Sequence, residues 1–313
     1  MRDFPIIAGV GHNCLDHLCT VEEYPPEDGS THITSISIQG GGAVATAMAA
    51  AARLGVSSAW VGCLGEDMPG REIRRLLEQD GVDTRYIRSV PGGRSSDSYV
   101  MVNPARSTRT KFPYPDDLPP IQWDGELTAA IQNARVLHLD GTRYENAVAA
   151  AKIAKSAGVT VSLDGCSMQK DNEKNIALAS MADILIMNAR YPLRVSGQGD
   201  YEKALLEIAK WGPKVVIGTL GAKGCLAVID GGLKRFPAYP VKAVDTTGAG
   251  DVFHGAFLAG WVRGMDLEEN IRFASAVSAV KCTRIGGRAG IPGYEDALAF
   301  LAEQTRIMQR TLS

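Results

Sequence analysis

The sequence has little of what marks a membrane protein or a nucleic-acid-binding protein. Aromatic residues make up only 6% of its 313 residues, and neither charge sign dominates, because 33 lysines and arginines face 35 aspartates and glutamates. This balance lacks the basic surface typical of proteins that bind nucleic acid or acidic membranes. No run of about 18 uncharged apolar residues predicts a membrane span. A small-molecule partner is therefore favoured.

Paired cysteines are also lacking, since none of the six stands in a CxxC pair: Cys14, Cys19, Cys63, Cys166, Cys225 and Cys282. In a chain of this length, scattered cysteines favour reduced thiols in a core over disulfides or zinc ligands. The apolar segment 6–10 is too short for the hydrophobic region of a signal peptide. We therefore expect a cytoplasmic protein.

Short apolar segments with the composition of buried strands alternate with amphipathic segments of helical length. The predicted strands are 6–10, 58–63, 135–139, 160–164, 184–187, 215–219 and 225–229. The predicted helices are 42–54, 70–79, 146–157, 201–211, 250–263 and 267–283. This alternation predicts an α/β fold with crossover connections and a mainly parallel sheet.

Two segments, 12–38 and 95–114, break the alternation. They carry β-branched, aromatic and polar residues in partial alternation, with weak helical signals, and predict strands of a small separate sheet. Because the segments are apart in the chain, we expect them to pair as a lid over a site, although functionless surface hairpins are the alternative. The remaining residues form the predicted core: 1–11, 39–94 and 115–313.

The strongest local signal is a turn-rich segment that leads directly into a helical pattern, Val244–Gly255. Gly248 and Gly250 permit backbone conformations that let successive N–H groups converge, and the helix that follows adds its positive end. The segment therefore predicts an anion site, with phosphate as the expected ligand. Asp251 falls in the first helical turn, where it either complements the helix dipole or accepts a proton during phosphoryl transfer.

Two further glycine segments are less specific. Gln39–Ala47 opens a helix but lacks the spacing of a dinucleotide-binding or P-loop motif. It favours either close approach of the backbone to a ligand or tight helix packing through its alanines. Thr219–Gly224 lies between two predicted strands and, taken alone, indicates a hairpin turn.

Four ordered segments resemble the motifs of the ribokinase or PfkB family of carbohydrate kinases: Gly41–Gly55, Thr219–Gly224, Val244–Gly255 and Thr283–Gly287. The resemblance covers nearly the whole chain, and within the family it is closest to sulfofructose kinase-like and ketohexokinase-like members. It implies a ribokinase-like three-layer α/β/α core with a small β-sheet lid. The implied activity is that of an ATP-dependent carbohydrate kinase.

The resemblance assigns roles at individual positions. Asp251 becomes the catalytic base, with the anion-hole amides supplied by Gly248, Ala249 and Gly250. The residues implied to bind substrate are Asp16, Gly41, Gly42, Thr46, Arg109 and Asp140. Taken without the family, three of these have ordinary alternatives: a solvated turn acid for Asp16, a surface arginine for Arg109 and a helix cap for Asp140.

On the nucleotide side, the resemblance implies binding by Thr219, Gly221, Lys223, Gly224, Asn188 and Ser275. Mg²⁺ is expected with ATP, because the charge of the triphosphate must be neutralised before transfer. K⁺ is a further expected cation. The resemblance implies that it is held mainly through the main chain of Asp245, Thr247, Lys281, Arg284 and Gly286.

Several positions depart from the family pattern. Thr46 stands where an asparagine is usual and so loses an amide donor, Tyr191 replaces the glutamate of an NxxE element, and Ser275 replaces an asparagine beside adenine. The positions implied for a sulfonate carry no cation: Ser30, Pro113 and Thr142. A sulfosugar is therefore not the expected substrate.

We predict transfer of the γ-phosphoryl group of ATP to a primary hydroxyl of a small sugar, a ketose or a furanose. A nucleoside kinase of the same fold is disfavoured because few aromatic side chains in or beside the lid segments could stack on a purine: Tyr24, Tyr99, Phe112 and Tyr114. A sugar or nucleotide sensor without catalytic activity is the alternative outside enzymes. Asp251 disfavours it, because a protein that only binds needs no proton acceptor beside the anion site. Neither nucleic acid nor a membrane is an expected partner, whereas a homodimer through the lid is.

Overall fold

The computed structural model describes residues 3–106, 108–167 and 169–312; the remaining positions of the predicted core and lid, 1, 2, 107, 168 and 313, lie outside the described residues. The strands are β1 (Ile7–Val10), β2 (Cys14–Val21), β3 (Ile33–Gly41), β4 (Ser58–Trp60), β5 (Gly62–Gly65), β6 (Ile87–Val90), β7 (Asp97–Asn103), β8 (Thr108–Tyr114), β9 (Val136–Leu139), β10 (Thr160–Gly165), β11 (Ile184–Met187), β12 (Val215–Thr219), β13 (Cys225–Ile229) and β14 (Gly232–Phe236).

The helices are α1 (Ala43–Arg53), α2 (Met68–Gln79), α3 (Gly125–Gln132), α4 (Tyr144–Ser156), α5 (Asn172–Ala179), α6 (Tyr191–Ser196), α7 (Tyr201–Ala209), α8 (Ala249–Arg263), α9 (Leu267–Lys281) and α10 (Tyr294–Leu312). A 3₁₀ turn covers Gly221–Lys223. Within the described part of the chain, no helix has both the length and the apolar character needed to cross a bilayer.

The large sheet has eight strands in the order β14, β13, β12, β11, β10, β9, β1, β4. Six of them, from β12 to β4, are parallel, and the hairpin of β13 and β14 adds two antiparallel strands at one edge. This order confirms the predicted mainly parallel α/β sheet. Parallel strands place their carboxyl ends at one edge, which is where ligands bind in such folds.

Both faces of this sheet are covered by helices, which gives the predicted three layers. Successive residues of a strand therefore enter different cores: Val136 and Ile184 join the cluster that includes α1, α8 and α9, whereas Leu137 and Leu185 join the cluster under α3, α4 and α7. A strand buried on both faces must be apolar throughout rather than alternating. This is why these strands appear in the sequence as short continuous apolar runs.

The lid is a four-stranded sheet in the order β3, β2, β7, β8. Its strands come from the two predicted segments, except that β3 continues to Gly41, beyond the predicted end at residue 38. The strands β2 and β7 are parallel and the outer pairs are antiparallel. The predicted single strand 58–63 is wrong, because the chain bends after Trp60, and β5 pairs with β6 in a separate two-stranded sheet. Gly62 permits the bend, since an added Cβ would lie 2.5 Å from the Trp60 ring.

Candidate active site

The candidate site centres on the start of α8, beneath the lid. Gly248 precedes the helix with a φ of +72°, a left-handed conformation that glycine adopts without strain. An added Cβ would also lie 2.9 Å from the carbonyl oxygen of Gly287. Ala249 and Gly250, the first helical residues, line a cavity of about 400 Å³. The helix start therefore presents its amides and positive dipole end to a pocket, as expected of an anion site.

Asp251 lies in the first turn of α8, beside this pocket. Burial raises the pKa of its carboxyl to about 6; Asp164 acts in the same direction, and His254 and Lys111 oppose it. A carboxylate with a pKa near the working pH is a better proton acceptor than an ordinary aspartate. The environment therefore favours the proton-acceptor interpretation of Asp251 over simple complementation of the dipole.

Two buried histidines behind Asp251 are absent from the sequence-based site. His254 follows it by one turn of α8, and its Nε2 lies 3.2 Å from Asp164 Oδ1 at the end of β10. The His138 ring lies 5.2 Å from that of His254, and burial lowers the pKa of His138 to about 3, so it stays neutral. The three-residue spacing of Asp251 and His254 places both on one helix face, a signal that could have identified His254.

Asp16 and Gly41 meet at the other side of the site, on the paired strands β2 and β3. Gly41 leaves the space that the Asp16 carboxylate occupies, because an added Cβ would collide with Asp16 Oδ2 and lie 2.8 Å from Cys14 Sγ. Gly42, with a φ of +89°, then turns the chain into α1. The glycine at 41 therefore gives room to the Asp16 carboxylate, and close approach of this backbone to a ligand stays a prediction.

Replacing Gly41 by alanine is expected to raise the KM for the acceptor about 10²-fold, because the new methyl displaces the Asp16 carboxylate. The KM for the nucleotide should change by less than about twofold. Steady-state kinetics measure both constants, and Gly125→Ala, where an added Cβ meets nothing within 4 Å, is the control. An unchanged acceptor KM would contradict the role given to Gly41.

Arg288 is a central residue of the site to which the sequence assigns no role. Its guanidinium is buried and donates to the carbonyl oxygen of Gly41 at 2.9 Å and to Thr46 Oγ1 at 3.3 Å. It also pairs with Asp80 at 3.1 Å. Thr46 is 1% exposed, and its hydroxyl accepts the hydrogen bond from Arg288. Through Arg288, Thr46 is connected to the carbonyl of Gly41; these contacts do not place it against substrate.

Asp140 is fully buried, and both carboxylate oxygens accept backbone N–H groups at 2.9 Å, from His12 and Thr142. It ties the ends of β1 and β9 together beside a narrow cavity. Asn13 lines the same cavity, is 7% exposed, and has no hydrogen-bond partner for either side-chain amide atom within the described residues. Buried amides are normally paired, so Asn13 is a further candidate to bind a substrate hydroxyl.

Arg109 extends from β8 of the lid to the loop before α8. Its Nη1 lies 3.0 Å from Thr247 Oγ1 and 4.0 Å from Asp245 Oδ1, so these contacts hold it on the loop. Lys111, two residues along the same strand, shares the face of Arg109 and lowers the pKa of Asp251. The period of two along β8 could have identified Lys111 from the sequence.

The nucleotide-side cavity brings together four of the six residues predicted to bind nucleotide: Thr219, Gly221, Gly224 and Ser275. Lys223 is exposed in the 3₁₀ turn and is not among the residues that line the cavity. Asn188 Oδ1 accepts the N–H groups of Arg190 and Tyr191 at the start of α6. These contacts hold the turn before α6, and Asn188 is not among the residues that line the cavity.

The two loops predicted to hold K⁺ are joined by hydrogen bonds. Asp245 accepts the N–H of Thr247 and that of Gly286, each at 2.8 Å. However, the Lys281 ammonium donates to the carbonyl oxygens of Asp245 and Thr247, at 3.0 Å to the first. The Arg284 side chain is exposed. A side-chain cation already occupies these carbonyls, so the residues do not fit an added monovalent cation at this point.

Comparison with known proteins agrees with this geometry. Residues 7–293 match the family described as pfkB family carbohydrate kinase. The chain belongs to this family. The kinase is 32% identical over 300 residues to an ATP-dependent ribose-1-phosphate kinase of Halopiger xanaduensis, covering 95% of this chain and 98% of that protein. It is 29% identical over 302 residues to a nucleoside kinase of Methanothermobacter thermautotrophicus, covering 93% and 94%.

Among solved structures, the kinase resembles Arabidopsis thaliana ribokinase complexed with ribose and ATP. The TM-score is 0.83 at 28% sequence identity, and the likeness covers 96% of this chain and 99% of the ribokinase. The predicted family and ribokinase-like fold are thereby confirmed. The narrower resemblance to sulfofructose kinase-like and ketohexokinase-like members stays a prediction.

Proposed function

We propose that the kinase transfers the γ-phosphoryl group of ATP to a primary hydroxyl of a small sugar, a ketose or a furanose. The observation that carries this proposal is the position of Asp251, directly after Ala249 and Gly250, which line the nucleotide-side cavity, and near enough to Lys111 of the lid for that charge to act on its carboxyl. Its raised pKa suits the removal of a hydroxyl proton.

The proposed reaction divides the work among the residues of the site. Asp16 and Asn13 bind acceptor hydroxyls and orient one of them toward Asp251, which takes its proton as the oxygen attacks the γ-phosphorus. The amides from Gly248 to Asp251 stabilise the negative charge on the transferring group. Lys111 on the lid adds a positive charge on the same side, and lid closure excludes water.

Mg²⁺ would bind together with the nucleotide. Within the described ranges, no group of three or more His, Cys, Asp or Glu residues could hold a metal ion. This fits an ion bound chiefly by phosphate oxygens and water, the usual arrangement for Mg²⁺ in kinases. When bound, it neutralises charge on the triphosphate.

A nucleoside acceptor is the second candidate, because one relative is a nucleoside kinase. The positions of the aromatic side chains in the lid favour a sugar acceptor over a nucleoside. Tyr99 and Phe112 are paired neighbours on β7 and β8, and Tyr99 is also paired with His17, next in β2 to Asp16. Because side chains alternate along a strand, these aromatics lie on the face opposite Asp16, where they cannot stack on a base in the site.

A coupled ADP-release screen over ketoses, pentoses, pentose phosphates, sulfosugars, deoxy-ketoacids and nucleosides tests the proposal. Release with a sugar, absent in Asp251→Ala, is the expected result. Strong release with a nucleoside alone would replace the sugar by the second candidate. Binding of a sugar without ADP release from any acceptor would indicate a sensor.

We propose a homodimer as the solution state, formed through the outer face of the lid. Five large apolar side chains of this face are 45–62% exposed: Ile36, Ile38, Tyr99, Phe112 and Tyr114. A second copy of the same sheet would cover them.

Sedimentation should give a dimer for the native chain and a monomer for the double variant Ile38→Lys/Phe112→Lys. Leu193→Lys, an exposed site on α6, should stay dimeric, and a native monomer would refute the proposal.

A further inference from the structure

Lys281 is the one lysine among the largest fully buried side chains of the described chain. It ends α9, and its ammonium lies under the loop that leads into the anion hole, where it donates to the carbonyl oxygens of Asp245 and Thr247. Gly248 follows immediately. A buried ammonium is stable only when its N–H groups are paired with acceptors, and these carbonyls meet that need.

Acceptor oxygens and two carboxylates surround the Lys281 ammonium. Burial lowers the pKa of Lys281, and Arg109 acts in the same direction, whereas Asp245 and Asp251 oppose them by favouring the charged form. The backbone of residues 282–286 closes the same loop, because Cys282 O accepts the N–H of Val244 at 2.8 Å and Asp245 Oδ2 accepts that of Gly286. Converging carbonyl oxygens of this kind form a site for K⁺ or NH₄⁺ when no side chain fills it.

We propose that the Lys281 ammonium serves as a built-in monovalent cation that holds the loop 245–248 and so the anion hole in its working shape. The kinase therefore needs no K⁺. Removing the side chain back to Cβ would leave two carbonyl oxygens and an opening of cation size, which turns the protein into one activated by K⁺ or NH₄⁺. Lys281 acts through the loop and is a positioning residue.

The kinetic test compares native protein and variants in choline chloride and in KCl at one ionic strength of about 0.1 M, so that general screening is equal. The native rate should differ by less than about twofold between the salts. Lys281→Ala should lose about tenfold or more in choline and regain most of it in K⁺ or NH₄⁺, whereas Li⁺ should have no effect. Lys281→Met, whose side chain fills the space without charge, should stay slow in every salt.

A second readout does not depend on the acceptor. The thermal midpoint of Lys281→Ala should rise on exchange of choline for K⁺, whereas that of the native protein should not. Ser278→Ala removes another support of the helix start, the hydrogen bond from Ser278 Oγ to Ala249 O at 2.8 Å, without removing charge, and should show no K⁺ effect. Lys242→Ala, exposed in the same loop, should behave as the native protein.

Three results would overturn the proposal: native protein activated by K⁺, a Lys281→Ala variant of native rate in choline, or one that no monovalent cation restores in either readout. The comparison of the native rate in choline chloride and in KCl can overturn the proposal even if Lys281→Ala does not fold. The rate measurements depend on the proposed kinase function, whereas the thermal midpoints do not. A K⁺ effect on the midpoint of Lys281→Ala without any phosphorylated acceptor would therefore refute the function and support the cation role.

Discussion

Asp251→Asn should lower kcat by about 10²-fold or more, because the amide cannot take the proton of the attacking hydroxyl. The amides of the α8 start and the nucleotide-side cavity stay in place, so the affinity for ATP should remain close to native. Single-turnover kinetics and nucleotide binding by calorimetry measure the two effects. A variant that keeps the native rate with its sugar would remove Asp251 from the reaction.

The same substitution should make the protein more stable at neutral pH. Raising the pKa of a buried carboxyl to about 6 means that its ionised form costs about 3 kcal/mol in the folded state, and the neutral amide does not carry that cost. We expect a gain of up to about 3 kcal/mol at pH 7, seen as a higher thermal midpoint. An inactive variant with a lowered midpoint would indicate local unfolding rather than loss of the base.

The pH dependence of rate and of stability should run in opposite directions. Since the pKa of Asp251 is higher in the folded than in the unfolded chain, the stability linked to its protonation is complete at low pH and is lost as the pH rises through about 6. The base works only when ionised, so kcat/KM should rise as the pH passes about 6, the upper end of the range over which this stability is lost. Asp251→Asn should lose the Asp251 contribution to the pH dependence of stability.

Arg288→Met should lower the free energy of unfolding by about 3 kcal/mol. Methionine fills much of the space but leaves the Asp80 carboxylate with one fewer partner in a buried place, and it removes the donor to Gly41 O. Arg53 still pairs with Asp80, which keeps the loss at the lower end for a broken buried pair. Chemical unfolding followed by circular dichroism measures the change.

Two controls separate this charge effect from lost packing. Adding Asp80→Asn to Arg288→Met should restore part of the lost stability, because it removes the uncompensated charge. Arg284→Met makes the same substitution at an exposed position of the same loop and should leave the unfolding midpoint unchanged. An Arg288→Met protein as stable as the native chain would show that the buried pair contributes nothing to the fold.

The predicted parts that the structure confirms are those with a local cause. The parallel sheet follows from apolar runs that only a doubly covered strand can bury, and the helix start at Ala249 follows from a glycine that permits a positive φ. The lid strands follow from the partial alternation of side chains in 12–38 and 95–114, which differs from the helical periodicity of the neighbouring segments. The bend at Gly62 was not predicted, because it depends on the distant partner of β5, and one sequence shows no pairing between 62–65 and 87–90.

The sequence by itself determined the mainly parallel sheet, the small separate sheet and the glycine turn before α8, because propensity, periodicity and glycine geometry act over a few neighbouring residues. Only the tertiary structure decided which charges meet. Arg288 reaches Thr46 across 242 positions, and the Lys281 ammonium lies on carbonyls more than 30 residues away. Such pairs exist only once the chain has folded and buried them, since their energy comes from desolvation and distance rather than from local conformation.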